Sequence, residues 1–249
     1  MAVPCGSAPS MENRMRLGIL TYALPHLKTE QVLHGLLRRG GMDIALYALP
    51  FVPRPERKVL FQHRPDQLAA AHPAAIARRF SLPYHEVPTA DAIAGGDSDP
   101  PDTMLVTVGA LIGPRLLERT RVFNVHAGLI PAVRGLDAFK WAIHDDMPLG
   151  VSLHAIDADV DRGDHVLSLP TPVYPDDTPA TLARRHYEAE IALLIGFQDA
   201  LRAPASPLPG LDDRPARKRM PAETERLMLD RFPAYVERHA VDRPLRPQM

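Results

Sequence analysis

The fold is decided by residues 16–49, which read RLGILTYALPHLKTEQVLHGLLRRGGMDIALYAL. Arg16 to Tyr22 form a short apolar run that is typical of a buried strand. Thr29 is the predicted N-cap of a following helix, and Gly40-Gly41 are predicted to end that helix. A second apolar run, from Asp43 to Leu49, predicts the next strand. This strand–helix–strand order predicts an α/β fold with a Rossmann-like, mostly parallel sheet flanked by helices.

The turn after the first predicted strand, from Ala23 to Lys28, contains no glycine. Glycines at this point would let main-chain N–H groups surround a phosphate at the start of the helix. We therefore expect no phosphate-binding loop here.

The same reasoning extends to the rest of the chain. Further strands are predicted at Pro83–Val87, Met104–Val108, Arg121–Val125, Gly150–Ile156, Val166–Leu169 and Thr171–Tyr174. Further helices are predicted at Ala69–Phe80, Pro114–Arg119, Leu136–His144, Thr178 or Thr181 to Leu201, and Ala222–Phe232 with an extension to His239. Pro73 is expected to delay the start of the first of these helices.

Composition excludes several classes of protein. The formal net charge of the 249 residues is −1, so nothing in the bulk charge favours nucleic acid or an anionic membrane. The single Cys5 excludes an intrachain disulfide and a cysteine-based zinc site. No apolar run approaches the roughly 20 residues that span a bilayer. The first ten residues lack the pattern of a signal peptide, so we expect a cytoplasmic protein.

Changes in composition predict three segments. Residues 1–15 are expected to form a disordered extension, 16–202 a catalytic domain, and 203–249 a proline-rich, partly helical tail. The tail is expected to pack on the core or to mediate self-association as a homodimer. A long proline-rich loop, residues 50–73, carries several cations and is either a solvated loop or a substrate-binding loop.

The candidate chemistry lies at the end of the strand predicted at Arg121–Val125. Asn124 and His126 are two residues apart, so their side chains lie on the same side of an extended strand. A carboxamide can donate to a developing oxyanion, and an imidazole can act as a general acid or base. Asp161 can orient the imidazole only if its loop folds back. Each residue in isolation is more often structural than catalytic.

The loop that contains Asp161 also has an alternative interpretation. Four acids alternate with other residues between Asp157 and Asp164, as in some cation sites. The spacing is not that of an EF-hand, since no glutamate closes the loop. We predict no metal site.

Several separated motifs occur in a recognisable order: Asn124-x-His126, Leu129-Ile130-Pro131, Arg134-Gly135, Gly150 to His154, and Asp161-x-Gly163. Together they resemble the folate-dependent formyltransferases, which include enzymes acting on glycinamide ribonucleotide, methionyl-tRNA and nucleotide-linked sugars. The resemblance covers roughly residues 105–201.

The resemblance implies transfer of a formyl group from N10-formyltetrahydrofolate to a primary amine. Asn124 and protonated His126 would stabilise the tetrahedral oxyanion, while Asp161 would keep His126 charged and help to relay the proton from the amine. It places the donor against Gly109, Ala110, Leu111, Ile112, Asp157 and Val160, and the acceptor against Arg64, Arg134 and Gly135. From the residues alone, Leu111 and Ile112 are equally well explained as core.

The chain departs from the family pattern at two points. The usual His-Pro-Ser-Leu-Leu-Pro reads His126-Ala127-Gly128-Leu129-Ile130-Pro131 here, and Asp164 stands where the family commonly has proline. The missing serine and the added glycine are expected to alter the substrate side of the turn.

The acceptor is approached by elimination. The missing phosphate loop argues against glycinamide ribonucleotide, while the short tail and near-neutral charge argue against tRNA. The expected partner is a small-molecule amine, with no nucleic acid and no membrane, and a nucleotide-linked amino sugar is preferred. The alternatives are an amino acid or natural-product amine, hydrolysis of the formyl donor, and a non-catalytic folate- or nucleotide-binding module. Hydrolases of the family that the chain resembles usually carry a separate N-terminal regulatory domain. Such a domain is not expected before Arg16, so the hydrolase is disfavoured.

Overall fold

The computed structural model describes residues 14–53, 55–96, 99–156, 165–202 and 213–242. The strands are β1 (Met15–Tyr22), β2 (Met42–Leu49), β3 (Tyr84–Glu86), β4 (Thr103–Val106), β5 (Arg121–His126), β6 (Gly150–Ala155) and β7 (His165–Pro170). The α-helices are α1 (Leu27–Arg39), α2 (Pro73–Arg79), α3 (Pro114–Leu117), α4 (Ala138–His144), α5 (Pro179–Ile195), α6 (Phe197–Arg202) and α7 (Ala222–His239), and a 3-10 helix spans Ala90–Gly95.

These strands form one sheet in the order β3-β2-β1-β4-β5-β6-β7. The pairs from β3 to β5 are parallel, whereas β6 is antiparallel to both β5 and β7. The prediction of a Rossmann-like, mostly parallel sheet with flanking helices is therefore confirmed.

The two faces of the sheet carry separate apolar clusters. On one face, Phe123 and Val125 of β5 pack with Leu33 of α1 and Leu194 of α5. On the other face, residues of β1, β4 and β5 pack against the 3-10 helix and α3. The alternation of strand side chains thus places Phe123 and Val125 on one face of β5, and Val122, Asn124 and His126 on the other.

Helix α1 begins differently from the prediction. Its N-cap is His26, whose Nδ1 accepts from the N–H of Thr29 at 3.3 Å. The hydroxyl of Thr29 is instead buried between those of Thr21 and Thr107, at 2.8 and 2.7 Å. The prediction that Thr29 caps the helix was wrong because its side chain turns inward to link β1 with the residue after β4.

Other boundaries shift for local reasons. The expected delay of α2 is confirmed, since this helix begins at Pro73, and proline is favoured in the first turn and disfavoured within a helix. Residues 171–174 do not form a strand, and only Val173 makes an isolated bridge, to Ala240. The predicted start of α5 agrees with the structure, where Thr178 and Thr181 form a reciprocal capping box. The predicted single helix to Leu201 was wrong, because the chain is divided at Gly196 into α5 and α6.

The C-terminal part of the chain packs on α4. Met228, Phe232, Tyr235 and Val236 of α7 are buried in a third cluster with Phe139 and Ile143. Helix α7 continues through Pro233. Residues 213–221, which we call the strap, directly precede α7. No helix in the described ranges is long and apolar enough to cross a membrane.

The loop from residue 50 to residue 72 is tied down by ion pairs and hydrogen bonds. Its Leu60 and Phe61 donate main-chain N–H groups to Glu225 of α7, which also pairs with the buried Lys140 of α4. Arg57 donates to Asp137 at 2.9 Å. Arg57, one of the cations of this loop, is therefore paired within the protein.

Candidate active site

Asn124 and His126 lie on the polar face of β5. In the register with β6, Asn124 is opposite His154 and His126 is opposite Ser152. Residues directly opposite in an antiparallel pair project to the same face. The four side chains therefore share one face of the sheet, turned away from the cluster that contains Phe123.

The carboxamide of Asn124 is partly exposed and makes no hydrogen bond to any described residue. On its other side, Asn124 is in register with Val106 at the end of β4. The amide N–H groups of Asn124 are thus available to a ligand that lies over the ends of β4 and β5.

The imidazole of His126 is only 8% exposed, and its Nε2 lies 2.8 Å from the carbonyl oxygen of Val133. A carbonyl can only accept, so Nε2 carries a hydrogen in both the neutral and the charged ring. Nδ1 is then the atom at which the ring gains or loses its proton. Nδ1 alone cannot donate to an oxyanion and to Asp161 simultaneously. The expected mechanism is therefore restricted to one of these two hydrogen bonds at a time.

The turn after β5 is packed tightly against His126. A Cβ atom on Gly128 would lie 2.4 Å from the Val133 oxygen and 2.8 Å from Nε2 of His126. Ser152 of β6 accepts from the N–H of Ile130 at 3.1 Å and contacts Ser168 of β7 at 2.8 Å. Gly128 therefore permits the close approach of the His126 ring and the Val133 carbonyl.

The predicted residues Asp157, Val160 and Asp161 lie outside the described residues, so their roles stay predictions. The residue before this stretch, Ile156, donates its N–H to the Val122 oxygen at 2.8 Å, beside the start of β5. Among the residues that the structure covers, no group of three or more His, Cys, Asp or Glu could hold a metal ion.

The predicted donor segment, Gly109 to Ile112, follows β4. Tyr22 at the end of β1 donates its hydroxyl to the Gly109 oxygen at 2.7 Å. Leu111 is 92% exposed, so the alternative that it is core is wrong, whereas Ala110 and Ile112 are partly buried against the cluster of β1 and β4. The main-chain groups of residues 110–112 make no hydrogen bond within the described part of the chain.

The start of α1 has no unbonded N–H groups. Leu27 and Lys28 donate to the main-chain and side-chain oxygens of Gln67, at 2.8 and 3.1 Å. Thr29 and Glu30 donate to His26. Burial, assisted by the charges of Lys28 and Arg64, lowers the pKa of His26 to about 4. This helix terminus has no N–H group left for a phosphate.

Arg64, a predicted acceptor-binding residue, is an ion-pair partner of Glu190 on α5. Its guanidinium lies 3.1 Å from Oε2 of Glu190, and Lys28 lies 2.5 Å from Oε1. Burial alone would raise the pKa of Glu190, but Arg64 and Lys28 outweigh it and lower the pKa to about 2. With 32% of its side chain exposed, Arg64 keeps a surface toward solvent, and its contact with substrate stays a prediction.

His186 of α5 supports the turn after β5 and was missed by the sequence analysis. Its Nε2 lies 3.2 Å from the Ala127 oxygen, and its Nδ1 accepts from the Thr171 hydroxyl at 2.9 Å. Burial lowers the pKa of His186 to about 4. A histidine four residues before Glu190, on the side of α5 that buries Leu182 and Leu193, is the signal that could have found it.

Arg134 and Gly135, the other predicted acceptor residues, meet the strap. The guanidinium of Arg134 is buried and pairs with Asp213 at 2.9 Å. Gly135 has φ +90°, and a Cβ there would lie 2.2 Å from the Arg217 oxygen. Their contact with substrate stays a prediction, because the structure uses them to anchor the strap.

A groove of about 1300 Å³ lies between α1 and α5. These helices cover the face of the sheet opposite to Asn124 and His126. Of the predicted site residues within the described ranges, Arg64 alone lines it. The candidate chemistry is therefore not in this groove.

The chain is similar to proteins of known family. The profile of the formyl transferase family matches residues 68–197. Methionyl-tRNA formyltransferase from Pseudomonas putida (strain GB-1) is 30% identical over 190 residues, which are 73% of this chain and 58% of that protein. The enzyme of the same description from Hydrogenovibrio crunogenus is 28% identical over 68% of this chain and 52% of its own length. The chain thus spans somewhat more than half the length of these relatives.

Solved structures share the fold at low identity. A sugar N-formyltransferase from a Shewanella species superposes with a TM-score of 0.59 at 13% identity, covering 88% of this chain and 87% of that one. Glycinamide ribonucleotide transformylase 1 from Symbiobacterium toebii gives 0.53 at 21% identity, covering 79% and 90%. The profile match extends over more than half of the chain and includes Asn124, His126 and the segment after β4. The chain belongs to the formyl transferase family.

Proposed function

We propose that this protein transfers a formyl group from N10-formyltetrahydrofolate to a primary amine. The observation that carries the proposal is the pairing of two side chains on β5: the unbonded carboxamide of Asn124 and the imidazole of His126, whose Nε2 is fixed by Val133. They provide a hydrogen-bond donor and a proton-exchanging nitrogen on one face of the same strand.

The residues after β4 fit the formyl donor. Residues 110–112 offer main-chain donors and acceptors that no described residue uses, and Leu111 offers an apolar surface. A flat heterocycle with several ring nitrogens is recognised by such a main-chain edge. The donor, when bound, supplies the electrophilic formyl carbon.

Each residue then has a stated task. Asn124 donates to the formyl oxygen, where negative charge develops as the amine attacks, and so lowers the barrier. His126, whose ring is held in place by Val133, takes up the proton of the attacking amine at Nδ1 and passes it to the N10 nitrogen of the donor. The bond between N10 and the formyl carbon breaks, so tetrahydrofolate leaves and the formyl group stays on the amine. Asp161, by family resemblance, stabilises the charged imidazole through its own charge, directly or through water, and helps to take up the amine proton.

We infer that the acceptor is a nucleotide-linked amino sugar. A phosphate at the start of α1 is disfavoured, because His26 and Gln67 already satisfy the helix N–H groups. Beside this point, Tyr22 packs edge-on against Phe51 with ring centroids 5.2 Å apart, and Phe51 is 48% exposed. Such an exposed ring suits the flat face of a base or sugar. The net charge of −1 gives no general attraction for tRNA.

The proposal is tested by incubating the purified protein with N10-formyltetrahydrofolate and a panel of amines, following release of tetrahydrofolate. The panel contains nucleotide-linked amino sugars, free amino sugars and amino acids. Release that depends on a nucleotide-linked amino sugar supports both parts of the proposal, whereas dependence on another amine corrects the acceptor. Release without any amine indicates a hydrolase. No release together with no binding of tetrahydrofolate contradicts the proposal.

A further inference from the structure

The strap makes main-chain hydrogen bonds to the segment that follows the turn after β5. The N–H of Arg217 donates to the Arg134 oxygen at 2.9 Å, and the N–H of Leu136 donates to the Arg217 oxygen at 2.8 Å. The two segments form a parallel bridge between Gly135 and Arg217. Because Gly135 has φ +90° and its missing Cβ would overlap the Arg217 main chain, this approach requires glycine.

The side chain of Arg134 reinforces the bridge. Its Nε and one terminal nitrogen donate to the Arg214 oxygen at 3.1 and 2.7 Å, and the same terminal nitrogen pairs with Asp213. Arg134 is 5% exposed, so loss of these partners would leave a buried charge. The strap therefore fixes Arg134 through both its side chain and its carbonyl.

Arg134 shares a peptide unit with Val133, whose carbonyl accepts from Nε2 of His126. On the other side, the N–H of Val133 donates to the Leu129 oxygen at 2.8 Å. The orientation of the accepting carbonyl is thus determined by the turn before it and by the strap after it.

We propose that Gly135 and Arg217 are positioning residues, through which the strap holds the Val133 carbonyl and thereby fixes the tautomer and orientation of His126. This inference rests on the proposed function for its kinetic test only. The catalytic proton exchange at Nδ1 requires that Nε2 keep its hydrogen, and the strap ensures this from outside the strand that carries His126.

The chain contains its own reporter of strap docking. Trp141, the only tryptophan, donates its indole N–H to the Lys218 oxygen at 2.8 Å, and the Arg217 guanidinium lies 4.6 Å from the ring centroid. Detachment of the strap would expose this ring to water and change its fluorescence.

The experiment compares two pairs of variants in the full chain. Gly135→Ala inserts a methyl group against the Arg217 main chain, and Lys218→Ala is its control, since that side chain is exposed and makes no hydrogen bond or ion pair within the described residues. Arg217→Pro removes the N–H that binds Arg134, while Arg217→Ala keeps that N–H and removes the same side chain. The second pair serves if Gly135→Ala does not fold.

Three quantities are measured: Trp141 emission, the ¹⁵N shifts of the His126 ring assigned with His126→Gln, and kcat with the tetrahydrofolate dissociation constant. We expect Gly135→Ala and Arg217→Pro to shift Trp141 emission to longer wavelength and to mix the two neutral tautomers of His126. Because misplaced catalytic groups cost roughly ten- to a hundred-fold in rate, we expect kcat to fall by that factor. Tetrahydrofolate affinity should stay unchanged. Lys218→Ala should resemble the wild type in all three quantities. Arg217→Ala removes the guanidinium beside Trp141, so it is the control for the His126 tautomer and for kcat, and both should stay at their wild-type values.

A shifted Trp141 emission with His126 still wholly in the Nε2–H tautomer would overturn the inference, as would an unchanged kcat. If the wild type transfers formyl to no amine, the proposed function fails, and the ¹⁵N shifts still decide whether the strap positions His126.

Discussion

The Nε2 atom of His126 lies 2.8 Å from the carbonyl oxygen of Val133, seven residues further along the chain. Because Nε2 donates in this contact, the ring exchanges its proton at Nδ1. The Asn124 carboxamide makes no such contact, so substitutions of Asn124 and His126 are expected to impair activity in different ways.

We expect Asn124→Ala to lower kcat by roughly a hundred- to a thousand-fold, the usual cost of losing one donor to a developing oxyanion. We expect His126→Ala to lower kcat by roughly a hundred- to ten-thousand-fold, the usual contribution of a general acid or base. Asp161→Asn is expected to lower kcat strongly as well. Single-turnover kinetics with a saturating amine would measure this. His34→Ala, on the far side of α1, is the control with wild-type activity. Near-normal turnover in a folded Asn124 or His126 variant would remove that residue from its role.

Gly128→Ser restores the residue that the family commonly carries at this position, and we expect it to impair this protein. The new side chain would meet the Val133 oxygen and the His126 ring at less than contact distance. A loss of activity with little change in tetrahydrofolate binding is the expected result, measured by kcat and by titration with tetrahydrofolate. Wild-type kcat would show that the turn adjusts without disturbing His126.

Glu190→Gln should destabilise the protein by about 3–5 kcal/mol, because it leaves the buried Lys28 and the partly buried Arg64 without their shared carboxylate. Glu188→Gln on the same helix breaks an exposed pair with Arg184 and should cost less than about 0.5 kcal/mol. Urea unfolding at pH 7 measures both. Equal effects of the two substitutions would contradict this account of the cluster.

The protein should lose stability as the pH falls from about 6.5 to about 4. The folded-state pKa of His186 is lowered from 6.5 to about 4 by burial, so in this window the unfolded chain binds more protons. Glu190 raises this pKa, whereas Arg64 and His126 lower it further. His186→Gln should reduce the slope of unfolding free energy against pH by up to about 1.4 kcal/mol per unit.

That slope is obtained from urea unfolding at several pH values. His26, whose pKa is also lowered to about 4, should leave a residual slope in the His186 variant. Identical slopes in the variant and the wild type would show that His186 is not held neutral in the folded protein.

The sheet could be predicted from the sequence because local patterns determine it. The apolar runs of residues 16–49 and the helical spacing between them specify a parallel crossover without knowledge of any distant contact. The shared face of Asn124 and His126 follows equally from a spacing of two residues on a strand.

Contacts between distant segments could not be predicted in this way. Threonine is favoured at N-caps, yet a hydrogen bond to Thr107, the residue after β4, turns the Thr29 side chain inward. Arg134 carries a family motif, but its burial depends on Asp213, 79 residues away. The hydrogen bond from His126 to the Val133 carbonyl could not be predicted either, because every residue has a carbonyl that could accept it.

Strand β5 is hydrogen-bonded along both edges, in parallel to β4 and antiparallel to β6. A strand held in this way cannot shift its register without breaking two ladders at once. Asn124 and His126 therefore stand on a strand whose register is fixed from both sides, while the loop of residues 50–72 and the strap lie outside the sheet. New acceptors could be acquired by exchanging those outer segments, with the reacting groups left in place.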